Sequence, residues 1–343
     1  MQIVPNSPQQ TTDVAIIGAG PVGLFAVFEC GMLKIKCHVV DALDVAGGQC
    51  AALYPEKPIY DIPGYPVIEA AALIEKLQQQ AAPFHPVFHL GQTVKTCERA
   101  GERFLLTTSA GTTIECRAVV IAAGVGAFGP NRPPIPGIEA YENRGVFYYV
   151  KRRDDFAGKR VVIAGGGDSA VDWTLSLADI AKRVIVVHRR AKFRAAPESA
   201  ARMQKLAEAG KIDMVIPYQL AGVEGTNGIL SAVIAQSLSG EIKRIEADVL
   251  LPFFGLAMSL GPIADWGLNL DHNRITVAPD SCATSAKGIF AVGDIATYPG
   301  KLKLILSGFA EAALAAHAVY PLVHPDRELH FEYSTTTGVP GLA

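Results

Sequence analysis

DVAIIGAGPVGLFAVFECGML, residues 13–33, opens with an apolar run, breaks at a glycine cluster and resumes as an apolar helical pattern. The run 13–17 reads as a strand, the glycines as a turn, and the rest as a helix to about Leu33. KCHVVD at 36–41 then reads as a second strand. The three pieces make a βαβ unit whose strands are apolar throughout, the mark of a parallel sheet covered on both faces.

Each glycine of the turn has a job. Gly18 permits the tight turn, Gly20 lets a pyrophosphate approach the backbone, and Gly23 lets helix pack on strand. The helix start offers unbonded N–H groups and the positive end of its dipole to phosphates. Asp41 closes the second strand, where a carboxylate accepts ribose hydroxyl protons and repels a 2′-phosphate. The first unit therefore suits a dinucleotide with a free ribose, FAD or NAD.

The arrangement recurs with one inversion. RVVIA at 160–164 is followed by GGGDSA at 165–170, a helix to about residue 180, and RVIVVH at 183–188. Gly165, Gly167, Asp168 and Ser169 belong to a GxGxxA variant of the first turn. Where Asp41 stands in the first unit, this one has Arg189 and Arg190, with Lys192 and Arg194 close behind. A solvated basic loop has the same composition. Placed directly after the strand, guanidinium forks suit a 2′-phosphate, so this unit prefers NADP to NAD. Opposite ribose preferences imply two cofactors, FAD and NADP(H).

The two turns, at 18 and 165, are too far apart for a solenoid repeat. They suit two α/β domains, each a Rossmann-like three-layer ββα unit, the second inserted into the first. Between them, 86–121 reads as short strands, FLLTTSA and TIECRAVVIA among them. GVGAFGPNRPPIPG at 124–137 and DVLLPFFGLAMSLG at 248–261 read as the crossings, and a hinge between domains would sit there. Residues 1–118 and 252–343 are expected to form the FAD-binding domain and 119–251 the NADP(H)-binding domain. GIFAVGD at 288–294, a strand ending in Gly-Asp beside an Ala-rich helix at 302–319, completes the first domain, with Asp294 on the ribityl chain.

Of 343 residues half are hydrophobic and 19% charged, with a net charge of −2. That balance gives no global attraction to nucleic acid or to a membrane surface. The apolar stretches 14–28 and 249–264 fall short of the ~20 residues a bilayer requires. No basic start and apolar core mark a signal peptide, so a cytoplasmic location is expected. No metal site is expected either.

Six cysteines stand at 30, 37, 50, 97, 116 and 282, with no CxxC. A flavin disulfide reductase needs a dithiol that meets the flavin. GGQC at 47–50 has Pro55 where a second cysteine would follow, and Gly145–Val150, just before the second glycine turn, has none. Electrons must leave the flavin directly.

GGQCAALYPEKPIYDIPGYP (47–66), GGGDSAVDW (165–173), HRRAKFRA (188–195), GDIATYPGKLKLILSGFAEAA (293–313) and YSTTTG (333–338) occur in that order. Together they resemble the thioredoxin-reductase-like ferredoxin–NADP(+) reductases, homodimeric FAD flavoproteins of bacteria and archaea. The resemblance implies that Gln49 binds polar groups of FAD, Val94 touches the adenine side, and Phe128 lies near the flavin. It implies Tyr54 stacked on one isoalloxazine face, Tyr333 covering the other from the partner subunit, and Thr335 bonded to the ring. The departures are Cys50, where an aliphatic residue is common, and a loose SCATSAKG at 281–288.

The implied reaction is hydride transfer from NADPH C4 to flavin N5, then single-electron transfers to a ferredoxin or flavodoxin. Tyr54 and Tyr333 are the catalytic candidates, as stacking groups; no acid or base is needed, and Tyr333 would act as a gate. An acidic ferredoxin would seek a basic face, for which Lys151–Arg153, Lys182–Arg183 and Lys301 with Lys303 are candidates. Two other readings stay open: an NADPH-dependent flavin disulfide reductase with its dithiol elsewhere, and a non-catalytic FAD/NADP-binding redox sensor.

Overall fold

The computed structural model describes residues 9–330 and 333–339, with backbone alone at 127–128, 256–258 and 337. Val14–Ile17 is the middle strand of a five-stranded parallel sheet. Ala118–Ile121 and then Ile289–Ala291 pair on one side, Cys37–Val40 and then Val87–His89 on the other.

Side chains of a strand alternate between faces, and the alternation shows how the layers form. Val14 and Ile16 pack with the helices Pro21–Met32 and Ile305–Val323. Ala15 and Ile17 pack the other way, with Phe104, Leu106 and Ile114. Those three come from a four-stranded sheet ordered Gln10–Thr11, Thr113–Cys116, Arg103–Thr108, Val94–Ala100. Helices, parallel sheet and second sheet make the three layers. Each buried aliphatic side chain contributes about 1.5–3 kcal/mol to holding them together.

TIECRAVVIA is two strands rather than one. It breaks at Arg117, where the N–H groups of Arg117 and Ala118 both donate to the Asp13 carbonyl, at 2.9 and 3.3 Å. Before the break the chain belongs to the outer sheet, after it to the parallel sheet. One carbonyl thus stitches the layers at the switch.

The second unit repeats the plan. Asp213–Val215, Arg183–Val187, Arg160–Ala164 and Val249–Pro252 form a parallel sheet in that order. Val161 and Ile163 face Val171, Leu177 and Met203 of the helices Asp168–Leu177 and Pro197–Glu208. Val162 and Ala164 face Tyr218, Val233 and Ala235 of an antiparallel three-stranded layer.

The chain divides into Met1–Phe128 with Met258–Ala343, and Gly129–Ala257. These divisions fall inside the segments read as crossings, 124–137 and 248–261, and later than the expected domain bounds of 118 and 251. Ala118–Ile121 pairs on both edges inside the first sheet, so the chain cannot leave before it. Val249–Pro252 likewise completes the second sheet against Arg160–Ala164.

Two helix limits also shift. The helix expected to reach about 180 ends at Leu177. The Ala-rich one begins at Ile305, after an extended Leu304, and runs through Pro321 to Val323. By length and composition this 19-residue helix could cross a membrane. Its Ala312, Ala315, Ala316 and Val319 are instead packed in the core of the first unit, and it carries a buried Glu311.

Candidate functional site

In the first unit Gly18, Gly20, Asp41, Gln49, Tyr54, Val94 and Asp294 line one cavity of about 460 Å³. Gly18 has φ +111, and a Cβ there would stand 2.3 Å from the Ala122 carbonyl oxygen. A Cβ on Gly23 would stand 1.9 Å from the Gly18 carbonyl oxygen. Both positions are closed by protein, and Gly23 does not line the cavity. Gly20 is open: the nearest atom to a Cβ there is the Gly48 Cα, 4.0 Å away. Directly after it begins Pro21–Met32, a helix start with no side-chain cap. An open backbone at an uncapped helix start fits a pyrophosphate. Lys303, Leu304 and Ile305, at the start of the last long helix, line the same cavity.

Asp41 follows the strand Cys37–Val40, and its carboxylate is pinned by backbone. One oxygen accepts the Ala19 N–H at 2.6 Å, the other the Leu43 N–H at 2.8 Å. Burial raises the pKa of the acid, while those two bonds pull it down. A carboxylate has about four acceptor positions, so capacity remains for ribose hydroxyls. The residues present fit FAD at this wall.

Tyr54 and Cys50 are neighbours at the cavity. Burial pushes the Tyr54 phenol well above its ordinary range and the Cys50 thiol up to about 11. Both keep their protons near neutrality, so neither is a base or a nucleophile there. The remaining cysteines stand away from the cavity. Cys30 and Cys37 are neighbours in the core beneath the sheet, where the Cys37 thiol donates to the Ile35 carbonyl at 3.8 Å, and all six are free thiols.

The second glycine turn uses its three glycines differently. Gly165 has φ +155 and would place a Cβ 2.6 Å from the Phe253 carbonyl oxygen. Gly166 would place one 2.1 Å from the His188 ring, while Gly167 has nothing within 4 Å. Gly167 also precedes the uncapped helix Asp168–Leu177, so it repeats the open position of Gly20.

The basic loop is tied to this turn at two points. The Arg194 N–H donates to the Gly166 carbonyl at 2.7 Å, and the Ala196 N–H donates to the Asp168 carboxylate at 2.8 Å. Asp168 is therefore engaged in holding the loop. Arg189, Arg190 and Arg194 are exposed, as is Ser169. Burial lowers the pKa of His188, and the three arginines lower it further against the opposing Lys192 carbonyl. A cluster of exposed guanidiniums fastened beside an open helix start fits the 2′-phosphate and pyrophosphate of NADP.

Other sequence candidates do not meet here. Tyr333 is 70% exposed, Thr335 is exposed, and neither lines the cavity of its own chain. The Phe128 side chain lies outside the described residues. Lys301 does not belong to a basic docking face: its side chain is 4% exposed and paired with Glu311. Arg153 is bonded to Asp179 and Arg183 to Asp213, whereas Lys303 is exposed at the cavity.

Some of the lining escaped the sequence reading. Leu260–Ile263 reaches the cavity only because the chain returns from the second unit. The part played by His188 had a signal, the middle glycine of GGG, which no ligand explains.

The chain matches the model of the pyridine nucleotide-disulphide oxidoreductase family over residues 12–318. It is 63% identical over 333 residues to a protein of Paramagnetospirillum magneticum named ferredoxin–NADP reductase, covering 97% of this chain and 99% of that one. A Wolbachia pipientis wMel protein of the same name is 55% identical over 96% of this chain and 98% of its own. Among solved structures, Lactococcus lactis thioredoxin reductase shares the fold with a TM-score of 0.78 at 26% identity, over 92% of this chain and 99% of that one. T. acidophilum thioredoxin reductase does so with a TM-score of 0.78 at 24% identity, over 91% and 98%. The chain belongs to the pyridine nucleotide-disulphide oxidoreductase family, within the branch whose curated members are named ferredoxin–NADP reductase.

Proposed function

We propose that the protein is an FAD-dependent ferredoxin–NADP(+) reductase, a cytoplasmic homodimer whose electron-transfer partner is a ferredoxin or a flavodoxin. The observation that carries the reading is the opposite chemistry at the two glycine turns. A pinned carboxylate, Asp41, stands at the first, and a cluster of arginines at the second. The names of relatives at 55–63% identity point the same way.

FAD, when bound, would supply the redox chemistry: uptake of two electrons as hydride from NADPH and their single release to the partner. The chain's own residues do the positioning. Asp41 holds the ribose, and the open backbone at Gly20 admits the pyrophosphate against the helix start. Tyr54 would stack against the flavin with a phenol that stays protonated, and Gln49, Val94 and Asp294, which line the same cavity, would hold the rest of the cofactor. Arg189, Arg190 and Arg194 select the 2′-phosphate of NADPH, with Gly165, Gly167 and Ser169 at the phosphate-binding turn. Tyr333 and Thr335, both exposed in their own chain, would act on the flavin of the partner subunit. No side chain is required as acid or base.

The thiol alternative needs a dithiol at the flavin. Cys50 lines the cavity without another cysteine, and the neighbouring pair Cys30 and Cys37 is buried elsewhere. NADPH-driven cytochrome c reduction, measured with and without added ferredoxin, tests the proposal. Strong stimulation by ferredoxin is expected. Equal rates in its absence, or release of FMN rather than FAD on denaturation, would overturn it.

A further inference from the structure

Behind the cavity lies a buried charged cluster that is hydrogen-bonded to its lining at Gly293. Glu311, on the helix Ile305–Val323, is 2% exposed. One of its oxygens accepts the Gly293 N–H at 2.7 Å. The other accepts the Tyr298 hydroxyl at 2.7 Å and the Lys301 ammonium. Lys301 also lies over the Tyr298 ring, 5.6 Å from its centroid. Gly293 has φ +76 and, with Asp294, lines the cavity.

The helix comes close enough to do this because of Gly308, one turn earlier on the same face. A Cβ there would stand 2.3 Å from Val22 and 3.4 Å from the Gly293 Cα. Sequence and packing thus deliver a carboxylate to one backbone N–H at the cavity wall. A buried ion pair is a poor way to gain stability, since apolar residues of equal volume often serve as well or better. Such a pair is better suited to fixing one geometry, and the geometry fixed here is that of the Gly293–Asp294 turn.

We propose that Glu311, with Lys301 and Tyr298, is a positioning network for the cofactor: it holds the Gly293–Asp294 turn so that Asp294 meets the ribityl and phosphate portion of FAD. This rests on the FAD reading of the cavity. The three side chains do not touch the cofactor; they act through Asp294.

The test measures FAD dissociation constants by flavin fluorescence, together with unfolding midpoints of apoprotein and holoprotein. Tyr298→Phe removes one donor and is expected to weaken FAD by about tenfold. Glu311→Gln leaves one donor facing an amide and is expected to weaken FAD by about 100-fold. In both, the gap between holo and apo midpoints narrows, because ligand stabilisation follows the dissociation constant. Leu177→Ala, a core change in the second unit, should lower both midpoints together and leave FAD affinity unchanged. In an Asp294→Ala background the Tyr298→Phe effect on FAD affinity should largely vanish. Unchanged affinity in Tyr298→Phe, a parallel fall of both midpoints, or persistence of its effect without Asp294 would overturn the proposal. If Glu311→Gln does not fold, Tyr298→Phe decides. A wild-type protein that binds no FAD would instead overturn the reading on which the network depends.

Discussion

The two glycine turns share a backbone plan and differ in how they hold their charge. At the first, Asp41 is half-buried and both carboxylate oxygens are tied to backbone N–H groups. At the second, the arginines sit exposed on a loop fastened at its base by Arg194 N–H and Asp168. The buried acid belongs to a walled cavity, the exposed bases to an open surface. The contrast suits a resident cofactor in the first unit and an exchanging one in the second. Burial magnifies electrostatics and slows exchange, while exposed guanidiniums bind phosphate reversibly at modest cost.

The largest effect expected in testing this contrast is at the closed glycines. Gly23→Ala drives a Cβ into the Gly18 carbonyl and should cost roughly 3 kcal/mol or more of apoprotein stability in denaturant unfolding. Gly20→Ala and Gly167→Ala meet open space and ordinary backbone angles. They should leave stability within about 0.5 kcal/mol while each weakens its own nucleotide. If Gly20→Ala unfolds the protein, or spares FAD, the open-cradle description fails.

Asp41→Asn comes next. An amide in that place must turn its NH₂ toward either the Ala19 or the Leu43 N–H, setting donor against donor. FAD affinity, read by fluorescence, should fall about 100-fold, with NADPH binding to the second unit unchanged. Arg190→Ala should lower the ratio of kcat/KM for NADPH over NADH by about tenfold. Equal use of the two nucleotides by the wild type would break the contrast outright.

A smaller effect concerns pH. Strands Cys37–Val40 and Val87–His89 bring His38 Nδ1 and His89 Nε2 to 3.1 Å, next to Asp41. Burial lowers the pKa of both, and for His38 the neighbouring His89 lowers it further. Below about pH 6.5 the unfolded chain therefore takes up protons before the folded one does. Stability is fully present above that pH and falls as pH drops through it. Thermal midpoints at pH 7.5 and 5.5 should show the loss, and His89→Gln should reduce it. The smallest effect is Cys50→Ala, which should leave NADPH-driven dye reduction largely standing; its abolition would restore a thiol to the mechanism.

Much of the site was legible because its chemistry sits at fixed offsets from strands. Gly18, Gly20 and Asp41 bracket one βαβ unit, and Gly165, Gly167 and Arg189 another. Position after a strand is a local property, so the residues could be named without a structure. Tyr54, Gln49 and Val94 lacked any such offset and were reached only through resemblance to a family. Lys301 was misread for the opposite reason. Its neighbours in sequence suggest a basic patch, but its partner Glu311 is ten residues on, one helix turn past Gly308, and the pair is buried.

Motifs and periodicity were thus enough to specify two α/β units, their order, and an acid after one glycine turn where the other has bases. Strand alternation, glycine turns and end-of-strand charges are all short-range. Which glycines are closed by protein and which stay open to a ligand was decided by tertiary packing. So were the break at Arg117, the points within the crossings at which the units divide, and the burial of Lys301. Each depends on atoms far away in sequence, such as Ala122 over Gly18 and His188 over Gly166. A local pattern specifies what a residue can do, and only the fold specifies what stands in front of it.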